Sequence, residues 1–248
     1  MRIIISPAKK MNIETDIMQY RGYPAFMEQT RELQEYMKGL SYPQAKALWK
    51  CNDKIAELNY KRFADMDLTR CPTPALLSYE GIQYQYMAPA VFEDSQWEFV
   101  QEHLRILSGF YGVVKPLDGV VPYRLEMQAK INLPPHKNLY SYWGDKIFRE
   151  VSRDAEWILN LASKEYSKCV EDYLEPGLPY ITCIFGEEKD GKIIQKGTLA
   201  KMARGEMVRF LSREGITQPE GVKDFRGLGF TYSDEYSDAM NFTFLKHN

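Results

Sequence analysis

Two short apolar runs in this sequence end in the same chemistry. Ile3, Ile4 and Ile5 are followed by Ser6, Lys9 and Lys10, and the run 158–161 is followed by Ser163, Lys164, Glu165 and Lys168. Hydroxyl and ammonium groups just beyond the carboxyl end of a buried strand suit an anion, because ligands of open α/β sheets settle where loop amides and helix N-termini face outward. The same residues are explained equally well by Ser163 capping a helix while the lysines sit in water. A third basic feature lies in 191–213, where Lys192, Lys196, Lys201, Arg204, Arg209 and Arg213 stand against Glu206 alone. The stretch 171–190, by contrast, holds six acids against Lys189. Such a basic stripe neutralises phosphates by counterion release without reading bases, although most isolated basic helices are ordinary solvated faces.

A second set of residues fits acid-base chemistry. Arg124 with Glu126, Asp145, and the group Ser163, Glu165, Tyr166 and Lys168 are polar side chains set among apolar and aromatic neighbours. Catalytic acids and bases are often embedded this way, with a nucleotide or nucleobase as a fitting substrate. Arg124 with Glu126 also reads as a plain structural ion pair. Ser6 and Lys9 have the S-x-x-K spacing of penicillin-recognising serine enzymes, but the companion S-D-N and K-T-G motifs are missing. Neither G-x-x-x-x-G-K-[ST] nor G-x-G-x-x-G occurs, so a nucleotide cofactor site of those types is unsupported. His103, His136 and His247 have no second histidine at ligand spacing, and Cys51, Cys71, Cys169 and Cys183 form no CxxC pair. Neither a cofactor nor a metal is expected, and the cysteines read as reduced thiols.

These side chains need a scaffold, and composition allows one. The chain has 248 residues, of which 44% are hydrophobic and 13% aromatic, enough for a substantial core. The net charge of −2 removes the simplest case for a polyanion partner, a globally basic protein, so phosphate must meet a local patch. Ile3 to Ile5 is too short for the core of a signal peptide, and no run approaches the roughly 18 apolar residues of a membrane span. A cytoplasmic protein is expected.

The elements alternate. Residues 2–5 read as a buried strand ended by Pro7; 25–38 as a helix; Ser41 ahead of Pro43 starts another; and Asn52 caps a third running to about Ala64. The run 75–79 reads as a strand. Ser95 and Glu98 have capping-box spacing, and Trp97, Val100, Leu104 and Leu107 recur helically, with Arg105 turned outward and Gly109 as the left-handed stop. Strands are expected at 157–162, 180–185, 192–195 and 242–245. Thr198 caps a helix to about Arg213, with Leu199, Met202, Ala203, Phe210 and Leu211 inward and Lys201, Arg204, Arg209 and Arg213 on the remaining surface. With no linker or repeat, the expectation is one mixed α/β (α+β) domain over 1–248, a mixed sheet flanked by helices.

The words now assembled resemble the peroxide-stress family YaaA. Ile5-Ser6-Pro7-Ala8-Lys9 opens the series; Leu107-Ser108-Gly109-Phe110-Tyr111-Gly112 and Lys115-Pro116-Leu117-Asp118 follow. Pro122-Tyr123-Arg124-Leu125-Glu126-Met127, Tyr142-Trp143-Gly144-Asp145-Lys146, Ala162-Ser163-Lys164-Glu165-Tyr166 and Lys201-Met202-Ala203-Arg204-Gly205-Glu206 complete it in the family's order. The resemblance implies a cytoplasmic protein that limits peroxide damage from unincorporated iron, with a positively charged cleft and a DNA-binding helix-hairpin-helix element. Two places could hold that hairpin, the turn at 107–112 and the turn after the basic helix at 215–219. Together with the charge pattern, this points to Ser6, Lys9, Lys168, Lys201 and Arg204 in one cleft holding the DNA backbone with little sequence preference, with Arg124 beside them and Arg105 and Lys115 flanking. Glu126, Asp145 and Glu165 are the candidates for the enzymatic alternative.

Overall fold

A computed structural model describes residues 1–13, 16–70 and 72–246, so the expectations placed on Cys71 and His247 fall outside the described residues. In chain order its elements are β1 (Arg2–Ile5), β2 (Lys10–Met11), α1 (Met27–Lys38), α2 (Tyr42–Trp49), α3 (Asp53–Ala64), β3 (Thr73–Pro74), α4 (Ala75–Ser78), β4 (Tyr79–Glu80), α5 (Ile82–Met87) and α6 (Asp94–His103). There follow β5 (Leu104–Ser108), β6 (Gly112–Val114), β7 (Gly119–Val120), α7 (Leu139–Trp143), α8 (Lys146–Ser152), β8 (Ile158–Leu161) and α9 (Lys164–Glu171). The chain continues through β9 (Tyr180–Lys189), β10 (Lys192–Ile194), α10 (Gly197–Glu214), α11 (Pro219–Val222), β11 (Phe230–Tyr232) and β12 (Asn241–Lys246). This is the mixed α/β class. Among the described residues no helix is long and apolar enough to cross a membrane.

The main sheet runs β11-β12-β9-β8-β1-β5-β6, with β10 paired to β9 outside that path. Its centre is parallel, β1 lying between β5 and β8 with Ile5 opposite Ile106 on one side and Leu161 on the other. A central parallel strand is covered on both faces, which is why β1 is an unbroken isoleucine run rather than an alternating one. Ile3, Ile4 and Ile5 are each fully buried, and each contributes about 1.5–3 kcal/mol by leaving water. At the far end Phe185 stacks on Phe244 with ring centroids 5.2 Å apart and meets Phe225 and Phe230 edge-on.

The segment 92–112 departs from its sequence reading. The helix begins at Asp94 behind Glu93, whose backbone N–H donates to Gln96 Oε1 at 3.2 Å, so the capping pair lies two residues ahead of Ser95 and Glu98. It ends at His103, and Leu104–Ser108 is a strand buried along its whole length, paired with β1 and with β6. Gly109 has no left-handed backbone; the left-handed residue of this turn is Gly112, φ 73°. Gly109 is instead a close-approach glycine, since a Cβ there would lie 2.4 Å from the Leu125 carbonyl oxygen. The turn at 107–112 joins two antiparallel strands and is therefore not a hairpin between helices.

Two other expectations change. In the run 75–79, Ala75–Ser78 is one helical turn, α4, rather than a strand, and Tyr79 opens β4; two-residue strand pairs (β3 with β7, β2 with β4) frame the turn. Lys196, not Thr198, precedes the basic helix, and Gly215 with φ 64° closes it. That helix buries Gly205, Met207 and Val208 as well as Ala203 and Leu211, so its inward face is wider than the sequence suggests and Arg204 is part-buried.

Candidate functional site

Because β1 and β8 are parallel neighbours in register, Ser6 and Ser163 emerge side by side from their carboxyl ends. The Ser163 N–H donates to Ser6 Oγ at 2.8 Å, and Ser6 Oγ donates to Ser163 Oγ at 3.1 Å. Ser163 is the N-cap residue of α9 by position, yet no side-chain cap bond is formed, because its hydroxyl is engaged across the strand gap. Tyr84, from α5, donates its hydroxyl to the Ser6 carbonyl at 3.0 Å and fixes the loop from the other side.

Beyond these serines opens a cavity of about 340 Å³. Pro7, Ala8, Ile82, Tyr84 and Tyr166 give it apolar walls, and Lys9, Lys10, Lys201 and Arg204 bring cations to it. Gln83, Glu80 and Glu165 complete the lining. The Glu165 carboxyl is held above the usual glutamate range, chiefly by burial; donation from the Gln128 N–H at 3.3 Å and the charge of Lys9 pull the other way. Burial also lowers the basicity of Arg204.

A larger hollow of about 780 Å³ adjoins it, and Lys9 lines both. Its apolar side is Tyr36, Leu40, Leu48 and Trp49; its charged side is Lys9, Lys50, Arg124 and Lys130 with Glu126. A narrow gap of about 10 Å³ lined by Lys9, Arg124, Glu126 and Tyr166 lies between the two hollows. Glu126 is the hub of this junction: Oε1 stands 2.8 Å from Arg124 Nη2 and 3.4 Å from Lys9 Nζ. Both Arg124 and Glu126 side chains are nearly buried, so theirs is a desolvated ion pair, while Lys9 is largely exposed. Trp49 ties the helical side to the same strip by donating Nε1–H to the Arg124 carbonyl at 2.6 Å.

Of the residues singled out from sequence, Ser6, Lys9, Arg124, Lys201, Arg204, Glu126 and Glu165 therefore meet at the two hollows. Four do not. Lys168 lies over the Tyr140 ring at 5.3 Å and 3.9 Å from Asp172. Arg105, expected to point outward, is buried; its Nη1 donates to the carbonyls of Gln101, Glu102 and Leu104, and burial beside Arg2 brings its pKa down to about 10. Lys115 belongs to a turn in which its N–H donates to Asp118 Oδ2 at 2.8 Å. Asp145 accepts at 2.5 Å from Arg149 Nε, one turn on, at the exposed start of α8. Sequence reasoning missed Gln83, Lys50 and Lys130 altogether. Lysines spaced along surface segments carry no signal of convergence, and a glutamine in Ile82–Met87 has none of function.

The remaining hairpin candidate joins α10 to α11, which has only four residues, through a left-handed Gly215. Its Arg213 is paired with Glu214 at 2.8 Å.

Known proteins resemble this chain over its whole length. The family model described as peroxide stress protein YaaA matches residues 1–236. A UPF0246 protein of Desulfitobacterium hafniense is 52% identical over 246 residues, 99% of this chain and 98% of that protein. One from Lachnoclostridium phytofermentans is 53% identical over 246 residues (99% and 96%), and one from Pediococcus pentosaceus 47% identical over 247 residues (100% and 98%).

Proposed function

Since the chain belongs to the peroxide stress protein YaaA family, we propose that it serves peroxide resistance in the cytoplasm by holding DNA in the paired hollows beyond β1 and β8. One observation carries this reading. In a chain of net charge −2, seven cations (Lys9, Lys10, Lys50, Arg124, Lys130, Lys201 and Arg204) line two adjoining hollows against three carboxylates, Glu80, Glu126 and Glu165. A local excess of that size suits a row of phosphates, while the protein as a whole stays near neutral. Ammonium and guanidinium groups reaching phosphate set position on a strand but carry no sequence information, so binding is largely indifferent to sequence. Ferrous iron resting on phosphate reduces hydrogen peroxide there to hydroxide and hydroxyl radical, itself becoming ferric, and a protein covering the backbone takes those positions away from iron.

Salt dependence tests the reading. Each duplex phosphate contact adds about 0.9 to the slope of log affinity against log salt. Lys9→Ala and Lys201→Ala are each expected to lower that slope by about 0.9 in fluorescence-anisotropy titrations. Arg213→Ala, whose side chain is paired with Glu214 and lines neither hollow, should leave it unchanged. Unaltered slopes in both lysine variants would remove the hollows from DNA binding.

One observation favours a second reading, an enzyme acting on a nucleotide in the same place. Glu165 is a part-buried acid lining the smaller hollow with its proton affinity raised by burial, as suits a general acid. Turnover of nucleotides that Glu165→Gln abolishes while DNA affinity is kept would establish it.

A further inference from the structure

The smaller hollow is lined by two residues that each have one buried donor atom without a partner among the described residues. Gln83 is buried, and its Nε2 has no hydrogen-bond acceptor among the described residues; Arg204 Nε has none either. Both residues line the cavity of about 340 Å³. Buried polar groups are paired in the great majority of cases, so two orphans on one wall call for a ligand that accepts.

Their juxtaposition is built rather than incidental. Gln83 belongs to α5 and Arg204 to α10, and the helices are pressed together at Gly205, where a Cβ would stand 2.0 Å from the Gln83 carbonyl oxygen. No other residue type allows that approach, which holds the helices bearing Gln83 and Arg204 against each other at the cavity.

The rest of the lining restricts what the acceptor belongs to. Inorganic phosphate would be repelled by Glu80 and Glu165 and would have no use for the walls of Pro7, Ala8, Ile82, Tyr84 and Tyr166. A flat heteroaromatic ring fits better. Its carbonyl oxygens and ring nitrogens accept, its N–H groups donate to a carboxylate, and its faces lie on apolar and aromatic surface. The volume lies at the lower end of the range of about 300–1,000 Å³ usual for small-molecule sites.

We propose that this cavity binds a single nucleobase, unstacked from a strand lying in the adjoining larger hollow, with Gln83 and Arg204 donating to its acceptor edge and Glu165 accepting from an N–H. Lys9, shared by both hollows, and Lys201, on the lining of the smaller one, are placed for the flanking phosphates. The strand-delivery half of this inference rests on the DNA reading given above; the base-binding half does not.

The experiment is a set of calorimetric titrations of the full chain with the four 2′-deoxynucleoside 5′-monophosphates and with 2-deoxyribose 5-phosphate, which lacks a base. At least one nucleotide is expected to bind at least tenfold more tightly than the sugar phosphate, and Gln83→Leu should erase that preference. If thermal melting shows Gln83→Leu to be unfolded, Gln83→Glu, which keeps the size and replaces the donor with an acceptor, should erase it instead. Equal binding of nucleotide and sugar phosphate, or a preference that survives the folded Gln83 variant, overturns the proposal. A duplex titrated in parallel separates the two ideas. Duplex binding without nucleotide preference sinks the base pocket alone; nucleotide preference without duplex binding sinks the DNA reading alone.

Discussion

At the scale of single residues, the site is governed by two carboxylates in different surroundings. Glu126 is nearly buried and compensated by Arg124 at 2.8 Å, so removing it strands a desolvated guanidinium. Loss of one partner from a buried pair costs on the order of 3 kcal/mol or more, and Glu126→Ala should lower the denaturation midpoint accordingly. DNA affinity should rise in the same variant, because Lys9 and Arg124 lose the negative charge that offsets them. Glu165 behaves oppositely. Burial raises its pKa above the ordinary glutamate value of 4.5, so the folded protein holds this proton more tightly than the unfolded chain does. Its contribution to stability is therefore complete below the ordinary value and is lost as pH climbs through the raised one. Glu165→Gln cannot ionise, and its stability relative to the parent should improve as pH rises above the ordinary glutamate value of 4.5 in urea titrations. Cys169 is buried with its pKa pushed up to about 12, which keeps it protonated and unreactive.

At the scale of elements, what was legible in the sequence depended on whether local pattern or tertiary approach decided the outcome. β1, β8, β9 and β12 were readable because β-branched and apolar runs bounded by turn residues have few alternatives. The serines after β1 and β8, with Lys9 and Lys10, could be assigned to one crevice because parallel strands end on the same side, but the lysines after β8 go elsewhere, Lys168 to the Tyr140 ring and Lys164 to Glu171. β5 was not readable: Leu104 and Leu107 continue the spacing of Trp97 and Val100, and only pairing with β1 and β6 makes Leu104–Ser108 extended. α4 was lost for the same reason, a short apolar run being ambiguous between one helical turn and a strand. Gly205 is the sharpest case. Nothing local distinguishes it from any helical glycine, which usually costs about 1 kcal/mol against alanine. Yet here a methyl group would meet the Gln83 carbonyl at 2.0 Å, backbone against backbone. Gly205→Ala should therefore destabilise the protein, by about 1–3 kcal/mol in a urea titration, instead of stabilising it as helix propensity alone implies.

At the scale of the whole molecule, cations of distant segments are brought to two adjoining hollows, which they share with Glu80, Glu126 and Glu165. The arms come from the loop after β1, from α2, α5 and α10, and from the segment 124–132, which no stretch of sequence places side by side. Convergence of this kind is a property of topology, and it explains why Lys168 and Arg105, equally basic on paper, are spent on a tyrosine ring and on backbone carbonyls instead. The position of β1 has a consequence for biosynthesis. Its three isoleucines are synthesised long before their partners, Leu104 to Ile106 and Ile158 to Leu161. Until translation has passed Ile106 that greasy tripeptide has neither neighbour, and until it has passed Leu161 only one, so it must be shielded by transient collapse or by a chaperone. Non-local pairing of this sort slows folding, so the hazard grows with every pause of the ribosome along the intervening message.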